Sequence, residues 1–299
     1  MKNLICACVT ALLLPVTSVA DTVQTATDPV AAPTNPAHVV ALDFAALDTL
    51  VALDVPLEGR PDLAPPAYLA EALADVPTMG TIFEPDIEAL AALAPDLIIA
   101  GGRSQAKVGT LSKVAPTLDM TIDGTDLLAE AKARLSAYGA IFGRQAQAEA
   151  LAADLDAALD QTKSKLKGKG NALIVMVSGP KISVYGAQSR FGWLHRDLGL
   201  PEAVPDLQSG NHGEAVSFEY LAEADPDWLL VVDRGAAIGQ GSQSARAVLD
   251  NPLVAGTKAA QQGHIVMLDG AAMYLADGGI QSLMLVLSQL RDAFEAKAS

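Results

Sequence analysis

Five short apolar runs punctuate the chain: "HVVALDF" from His38, "DLIIAG" from Asp96, "ALIVMVSG" from Ala172, "WLLVVD" from Trp228 and "HIVMLDG" from His264. Each is shorter than an ordinary helix and rich in branched aliphatic residues, so each predicts a buried strand. Alanine-rich stretches with helical spacing lie between them. Strands alternating with helices predict an α/β chain with mainly parallel sheets. One stretch reads differently. From Gln145 to Lys167, Leu151, Leu155, Leu159, Thr162 and Leu166 recur every three or four residues, with Asp and Lys on the opposite face. That period predicts a single amphipathic helix, about 33 Å long at 1.5 Å per residue, closed by the glycines of "KGKGN".

The pattern repeats across that helix. "EALAALAPDLIIAGGR", Glu88 to Arg103, matches "EYLAEADPDWLLVVDR", Glu219 to Arg234, without a gap and at a constant offset of 131 residues. In each copy a helix opens with Glu, meets Pro-Asp, turns into a strand and finishes on Arg. A common supersecondary unit would explain the order of elements. The coincidence of Glu, Leu, Ala, Pro, Asp and Arg favours two related lobes facing each other across a cleft. The expected organisation is a signal peptide at 1–20, a disordered leader at 21–35, an N-terminal lobe at 36–144, one long interlobe helix at 145–167 and a C-terminal lobe at 168–299.

Composition narrows the function classes. "MKNLICACVTALLLPVTSVA" carries one Lys, an apolar run, and Ser18 and Ala20 placed for cleavage before Asp21, which is the pattern of an export signal. Both cysteines, Cys6 and Cys8, fall inside it, so the mature chain is expected to have neither disulfides, thiolate metal sites nor a Cys nucleophile. The stretch 21–35, rich in Thr, Pro and Ala without periodicity, reads as disordered. The formal charge is −15, and loss of Lys2 with the signal makes it more negative still. Such an acidic chain is a poor nucleic-acid binder. The expected location is the periplasm.

In open parallel sheets, ligands bind beyond the carboxyl ends of the strands. Arg103 follows "DLIIAGG" and Arg234 follows "WLLVVD"; Arg190 comes soon after "KISVYG", and Tyr274 follows "HIVMLDG" by four residues. His38 and His264 stand at the amino ends of their strands, away from that edge, and His195 belongs to a helical stretch. His212 sits between Gly210 and Gly213. A single Arg after a strand is commonly a loop salt bridge, but three Arg gathered at one edge of an acidic protein call for an anion to neutralise them.

Taken together, "VVALDFAALDTLVALDV", "FEPDIEALAALAPDLIIAGGRS", "GAQSRFGWLHRDLG", "NHGEAVSFEYLAEADPDWLLVVDR" and "LVAGTKAAQQGHIVMLDGAAMYLADGG" resemble the periplasmic iron–siderophore-binding proteins of ABC importers, over nearly all of residues 36–295. The resemblance is most specific for the branch that takes ferric catecholates of the enterobactin type. It implies two α/β lobes on one long helix, no intrinsic cofactor, a monomer, and delivery of a ferric siderophore to an inner-membrane permease. It also implies that Arg103, Arg190 and Arg234 hold catecholate oxygens and that His212 and Tyr274 close onto the iron. Glu88 and Glu219, one per lobe, would dock onto the permease. The sequence departs from the branch before and after its Tyr, with Ala271, Ala272 and Met273 where aromatics are frequent and Asp277 where a small hydroxyl residue is common.

The implied chemistry is coherent. Ferric iron is hard and takes about six donors, so two catechols supply about four oxygens and leave two positions for an imidazole and a phenolate. The glycines around His212 would let its imidazole swing in. Two other readings stay open from the residues alone. A cobalamin or haem receptor of the same fold is one. The other is a periplasmic siderophore hydrolase, although no Gly-x-Ser-x-Gly elbow, His-x-x-x-His pair or mature Cys is present.

Overall fold

The computed structural model describes residues 21–207, 210–240 and 243–296. The expected export signal at 1–20, with Cys6 and Cys8, lies outside the described residues. Among the described residues, three sheets are built from ten strands. A three-stranded parallel sheet carries β3 (Val39–Ala41), β4 (Leu97–Ala100) and β5 (Thr117–Asp119) in that order. A five-stranded sheet carries β6 (Ala172–Ser178), β7 (Lys181–Tyr185), β8 (Glu214–Val216), β9 (Trp228–Asp233) and β10 (Ile265–Leu268), ordered β10-β9-β6-β7-β8. Its β10, β9 and β6 are parallel, whereas β7 runs antiparallel to both β6 and β8. The remaining pair, β1 (Asp21–Gln24) and β2 (Pro29–Ala32), is an antiparallel hairpin.

The period of two assigns every strand residue to a side. Leu97 and Ile99 of β4 enter one core while Ile98 and Ala100 enter an outer one. Likewise Leu230 and Val232 of β9 face the same shared core, and Leu229 and Val231 face the outer layer of the second lobe. The shared core therefore takes side chains from both large sheets, and it is one continuous apolar body beneath the two lobes.

That core is closed by helices. The long helix spans Gln145–Leu166 and buries Ala148, Leu155, Ala158, Leu159, Thr162 and Leu166, the stripe that its sequence period marks. A second helix, Ile280–Ala296, packs along it. The two run in the same direction. At one end Gln147 donates to the Ala52 carbonyl and Gln281 to the Asp48 carbonyl, and at the other Lys165 meets Glu295 at 2.9 Å. The connection between the lobes is thus a helix pair, with the expected long helix as one member.

The stretch 21–35 is not the disordered leader its composition suggested. It forms the β1–β2 hairpin, with Val23 and Ala32 buried in the shared core. Backbone bonds tie it down, from Ala26 N to Asp119 O at 2.8 Å and from Asn35 N to Ile141 O at 2.8 Å. Two small apolar contacts and these bonds suffice because the hairpin adds to a surface the first lobe already provides, so it needs little hydrophobicity of its own.

Candidate functional site

A cleft of about 710 Å³ lies between the lobes, lined from one side by Asp43, Phe83, Arg103 and Asp123 and from the other by Tyr185, Arg190, His212, Arg234, Tyr274 and Asp277. All five residues read from the sequence as ligand or iron contacts line it. Each arrives by a definable local route.

Arg103 follows β4 through Gly101 and Gly102. Gly102 has φ +49°, a left-handed turn that glycine adopts without strain, and its lack of a Cβ leaves room for Asp43 Oδ2. Arg234 opens the short helix Arg234–Ala237, whose first turn is capped by Asp233 through Ala236 N. Tyr274 ends the helix Gly270–Tyr274, capped by Asp269 through Ala272 N. Gly270 lets this helix lie against the preceding one, since a Cβ there would meet Asp233 O at 2.4 Å.

Arg190 takes another route. The carboxyl end of β7 is not at the ligand edge, because β7 is antiparallel and Tyr185 pairs with Ile174 near the start of β6. After β7 the chain crosses the inner face of the sheet, burying Phe191 and Trp193 in the shared core. Arg190 is delivered into the cleft from that face. The strand-end argument places Arg103 and Arg234 correctly; for Arg190 the packing of its neighbours does the positioning.

The three guanidinium groups converge on Tyr274, at 4.8 Å, 5.1 Å and 5.2 Å from its ring centroid for Arg103, Arg190 and Arg234 respectively. Arg234 Nε donates to the Tyr274 hydroxyl at 3.0 Å and its Nη1 to Ser178 Oγ at 3.1 Å. The Tyr274 carbonyl accepts from Arg103 at 3.0 Å and from Arg190 at 3.3 Å. Burial pushes the Tyr274 phenol up, but hydrogen bonds and charge from Arg234 and Arg103 outweigh it and hold the pKa below the ordinary value. The Nε of Arg190 is buried and lacks a hydrogen-bond partner. Such a cluster is costly without an anion and is ready to receive one.

His212 is exposed, in the turn before β8. Its loop is anchored on one side. The Tyr185 hydroxyl donates to the His212 carbonyl at 2.9 Å, and Gly213, with φ +74°, lies so close that a Cβ would strike the Tyr185 ring at 2.6 Å. Gly210, with φ +54°, has open space around it. Tyr185 thus holds the backbone at His212 over the cleft.

The remaining histidines are elsewhere. His38 pairs with Glu58 at 2.9 Å, His264 stacks on Trp228 at 3.9 Å between ring centroids, and His195 is buried with Nδ1 2.8 Å from the Leu200 carbonyl. Among the described residues no group of three or more His, Asp or Glu is placed to hold a bare metal ion. Glu88 and Glu219 are exposed in the first turns of helices Ile87–Leu93 and Phe218–Ala224, away from the cleft. Both helices are N-capped, by Asp86 and Ser217, and both end on a left-handed residue, Ala94 and Asp225. The offset of 131 thus holds for the caps as well as for the Glu residues.

Sequence reasoning missed Tyr185, Asp43 and Phe83. Asp43 follows "VVAL" at the carboxyl edge of β3, so the rule that found Arg103 was sufficient to find it. Tyr185 ends β7 and Phe83 lies in a bend, where no motif marks them.

Two α/β lobes on a helical spine, with a charged cleft between them, define a cleft-type binding protein. The chain belongs to the Periplasmic binding protein family, whose model matches residues 39–272. It is 35% identical over 267 residues to the petrobactin-binding protein YclQ of Bacillus subtilis, covering 88% of this chain and 84% of YclQ. The YclQ crystal structure superposes with a TM-score of 0.87 at 33% identity, over 92% of this chain and 98% of that one. The ferric-anguibactin-binding protein FatB of Vibrio anguillarum is 29% identical over 272 residues, 88% of this chain and 84% of FatB. The periplasmic catecholate-siderophore binding protein VctP of Vibrio cholerae superposes with a TM-score of 0.83 at 30% identity, over 92% of this chain and 99% of that one. These relatives are binding proteins, not enzymes. No helix among the described residues is long and apolar enough to cross a membrane.

Proposed function

We propose that this protein captures a ferric catecholate siderophore in the periplasm, after export and cleavage before Asp21, and passes it to an inner-membrane ABC permease. The observation that carries the reading is the convergence of Arg103, Arg190 and Arg234 on Tyr274 in one cleft that His212 also lines. In this reading forked guanidinium donors hold the catecholate oxygens. Tyr274, whose phenol is already biased towards ionisation, and His212 fill the two iron positions that a pair of catechols leaves open. The iron and its siderophore are cargo. The exposed Glu88 and Glu219, related by the internal repeat, serve as the permease contacts of the two lobes. The named relatives bind petrobactin, ferric anguibactin and catecholate siderophores, which supports iron–siderophore cargo for this chain.

Fluorescence titration tests this directly. Trp193 is fully buried three residues after Arg190, so movement of that segment reaches an indole. Ferric bis-catechol and tris-catechol complexes should quench with saturation, whereas ferric hydroxamates, haem and cobalamin should not. Saturable binding of haem or cobalamin with no response to ferric catecholates would overturn the reading.

A further inference from the structure

The cleft is not simply cationic. Beside its three Arg it presents the carboxylates of Asp43, Asp123 and Asp277. Asp277 is the one built into the Arg cluster. Its side chain is only 13% exposed, and Oδ2 lies 3.4 Å from Arg190 Nη2. The backbone, not only Arg190, fixes it there. Gly278 has φ +88° and lies so close to Ile122 that a Cβ would meet its Cδ1 at 2.7 Å. The next residue, Gly279, is pressed against the helix Phe44–Ala52, where a Cβ would meet Asp48 Cγ at 2.5 Å. A carboxylate held in a largely buried site, against an Arg that the ligand also needs, is an expensive arrangement to maintain for structure alone.

The geometry points to Asp277 as a specificity determinant: by taking up the charge of Arg190 it biases the cleft towards ferric complexes of low net negative charge and against the trianion formed by three catecholates. This rests on the ferric-catecholate reading above. Iron(III) with three dianionic catecholates carries three negative charges; with two it carries one, and its open positions are the ones His212 and Tyr274 would fill. A fixed carboxylate repels the first species more than the second, and in a partly buried cleft screening is weak. Arg103 and Arg234, hydrogen-bonded to Tyr274 rather than paired with Asp277, grip the smaller complex.

The test measures a ratio of affinities. Wild type, Asp277→Asn, Asp277→Ser and Asp277→Glu are titrated by Trp fluorescence with ferric complexes of a linear bis-catechol amide and of a tris-catechol amide. Both neutral variants should shift preference towards the tris-catecholate by about tenfold. Asp277→Glu, which keeps the charge, should retain the wild-type ratio. Serine repeats the test with a smaller neutral group should asparagine lower stability, and a thermal melt of each variant separates misfolding from altered preference. A merely structural Asp277 would change both affinities together and leave the ratio untouched, which would overturn the proposal. If wild type binds neither complex, the ferric-catecholate reading itself fails.

Discussion

Tyr274 combines two properties in one side chain. Its ring is the surface on which three guanidinium groups gather, and its hydroxyl accepts from Arg234. Phenylalanine at this position keeps the ring and removes the oxygen, so the Arg cluster should survive while the proposed iron contact is lost. Tyr274→Phe and His212→Ala should therefore weaken a bis-catecholate complex much more than a tris-catecholate one, and Tyr274→Phe should remove the phenolate contribution to the visible absorption band. Equal losses for both ligands would return His212 to a surface role. The Arg residues act on either ligand. Each Arg→Ala should cost about 1.5–3 kcal/mol of ferric-catecholate binding, the range of a charged hydrogen bond, and Lys should restore only part of it because it lacks the fork. Unchanged titration curves in all three Arg variants would remove the cleft as the binding site. The cleft positions of Arg103, Arg234 and Tyr274 were legible because Arg and Tyr are conspicuous after a strand, whereas Arg190 arrives by another route. Asp43 obeys the same strand-end rule but does not stand out, because a carboxylate there is commonly a helix cap, as it also is here, and Tyr185, at the end of β7, carries no such mark.

At the scale of elements, strands of four or more residues with an aliphatic run were plain in the sequence, and the shortest, most exposed ones were not. β6 and β9 are nearly continuous apolar runs, whereas β5 is "TLD", with only Leu118 buried, and β8 is "EAV", with no residue fully buried. The β1–β2 hairpin was hidden for the same reason. The sharpest junction between elements is also silent in sequence. Asp48, wholly buried on the helix Phe44–Ala52, accepts from Tyr68 Oη at 2.7 Å, Gln281 N at 2.7 Å and Ser282 N at 2.9 Å. It thereby caps the second spine helix from the first lobe. Burial pushes its carboxyl up to about 7, against the hydrogen bonds that favour the ionised form. Asp48→Ala removes the acceptor of three donors, one of them buried and two partly so, and should destabilise the fold by about 2–4 kcal/mol in urea melts. The sign of the pH effect follows from the raised value. Between about pH 4, the ordinary carboxyl range, and pH 7 the folded protein holds a proton that the unfolded chain has released, so this group makes stability fall as pH rises through that window. Asp48→Asn should flatten that slope; a slope unchanged from wild type would assign it to other groups.

At the scale of the whole molecule, the internal repeat makes the two lobes related, but the joint between them is not a hinge made of loops. Two parallel helices cross it, and the apolar core beneath them takes residues from both large sheets. Asp48 binds the first lobe to the start of the second spine helix, and Arg103 reaches over the cleft to the Tyr274 carbonyl. Large lobe rotation would have to open close-packed surface along the full length of the helix pair, and cores of this density yield in discrete repackings rather than by smooth bending. Ligand capture should therefore rest on side chains, His212 among them, with the lobes almost fixed. Small-angle scattering of the free and ferric-catecholate-loaded protein should give radii of gyration that agree within about 1 Å, as for partners that bind with little backbone movement. Hydrogen exchange should slow chiefly in the turn before β8 and around Arg103, while the helices 145–166 and 280–296 stay protected in both states. A clear contraction in scattering, with exchange changes spreading into the spine, would mean that the helix pair bends and that the shared core does not hold the lobes together.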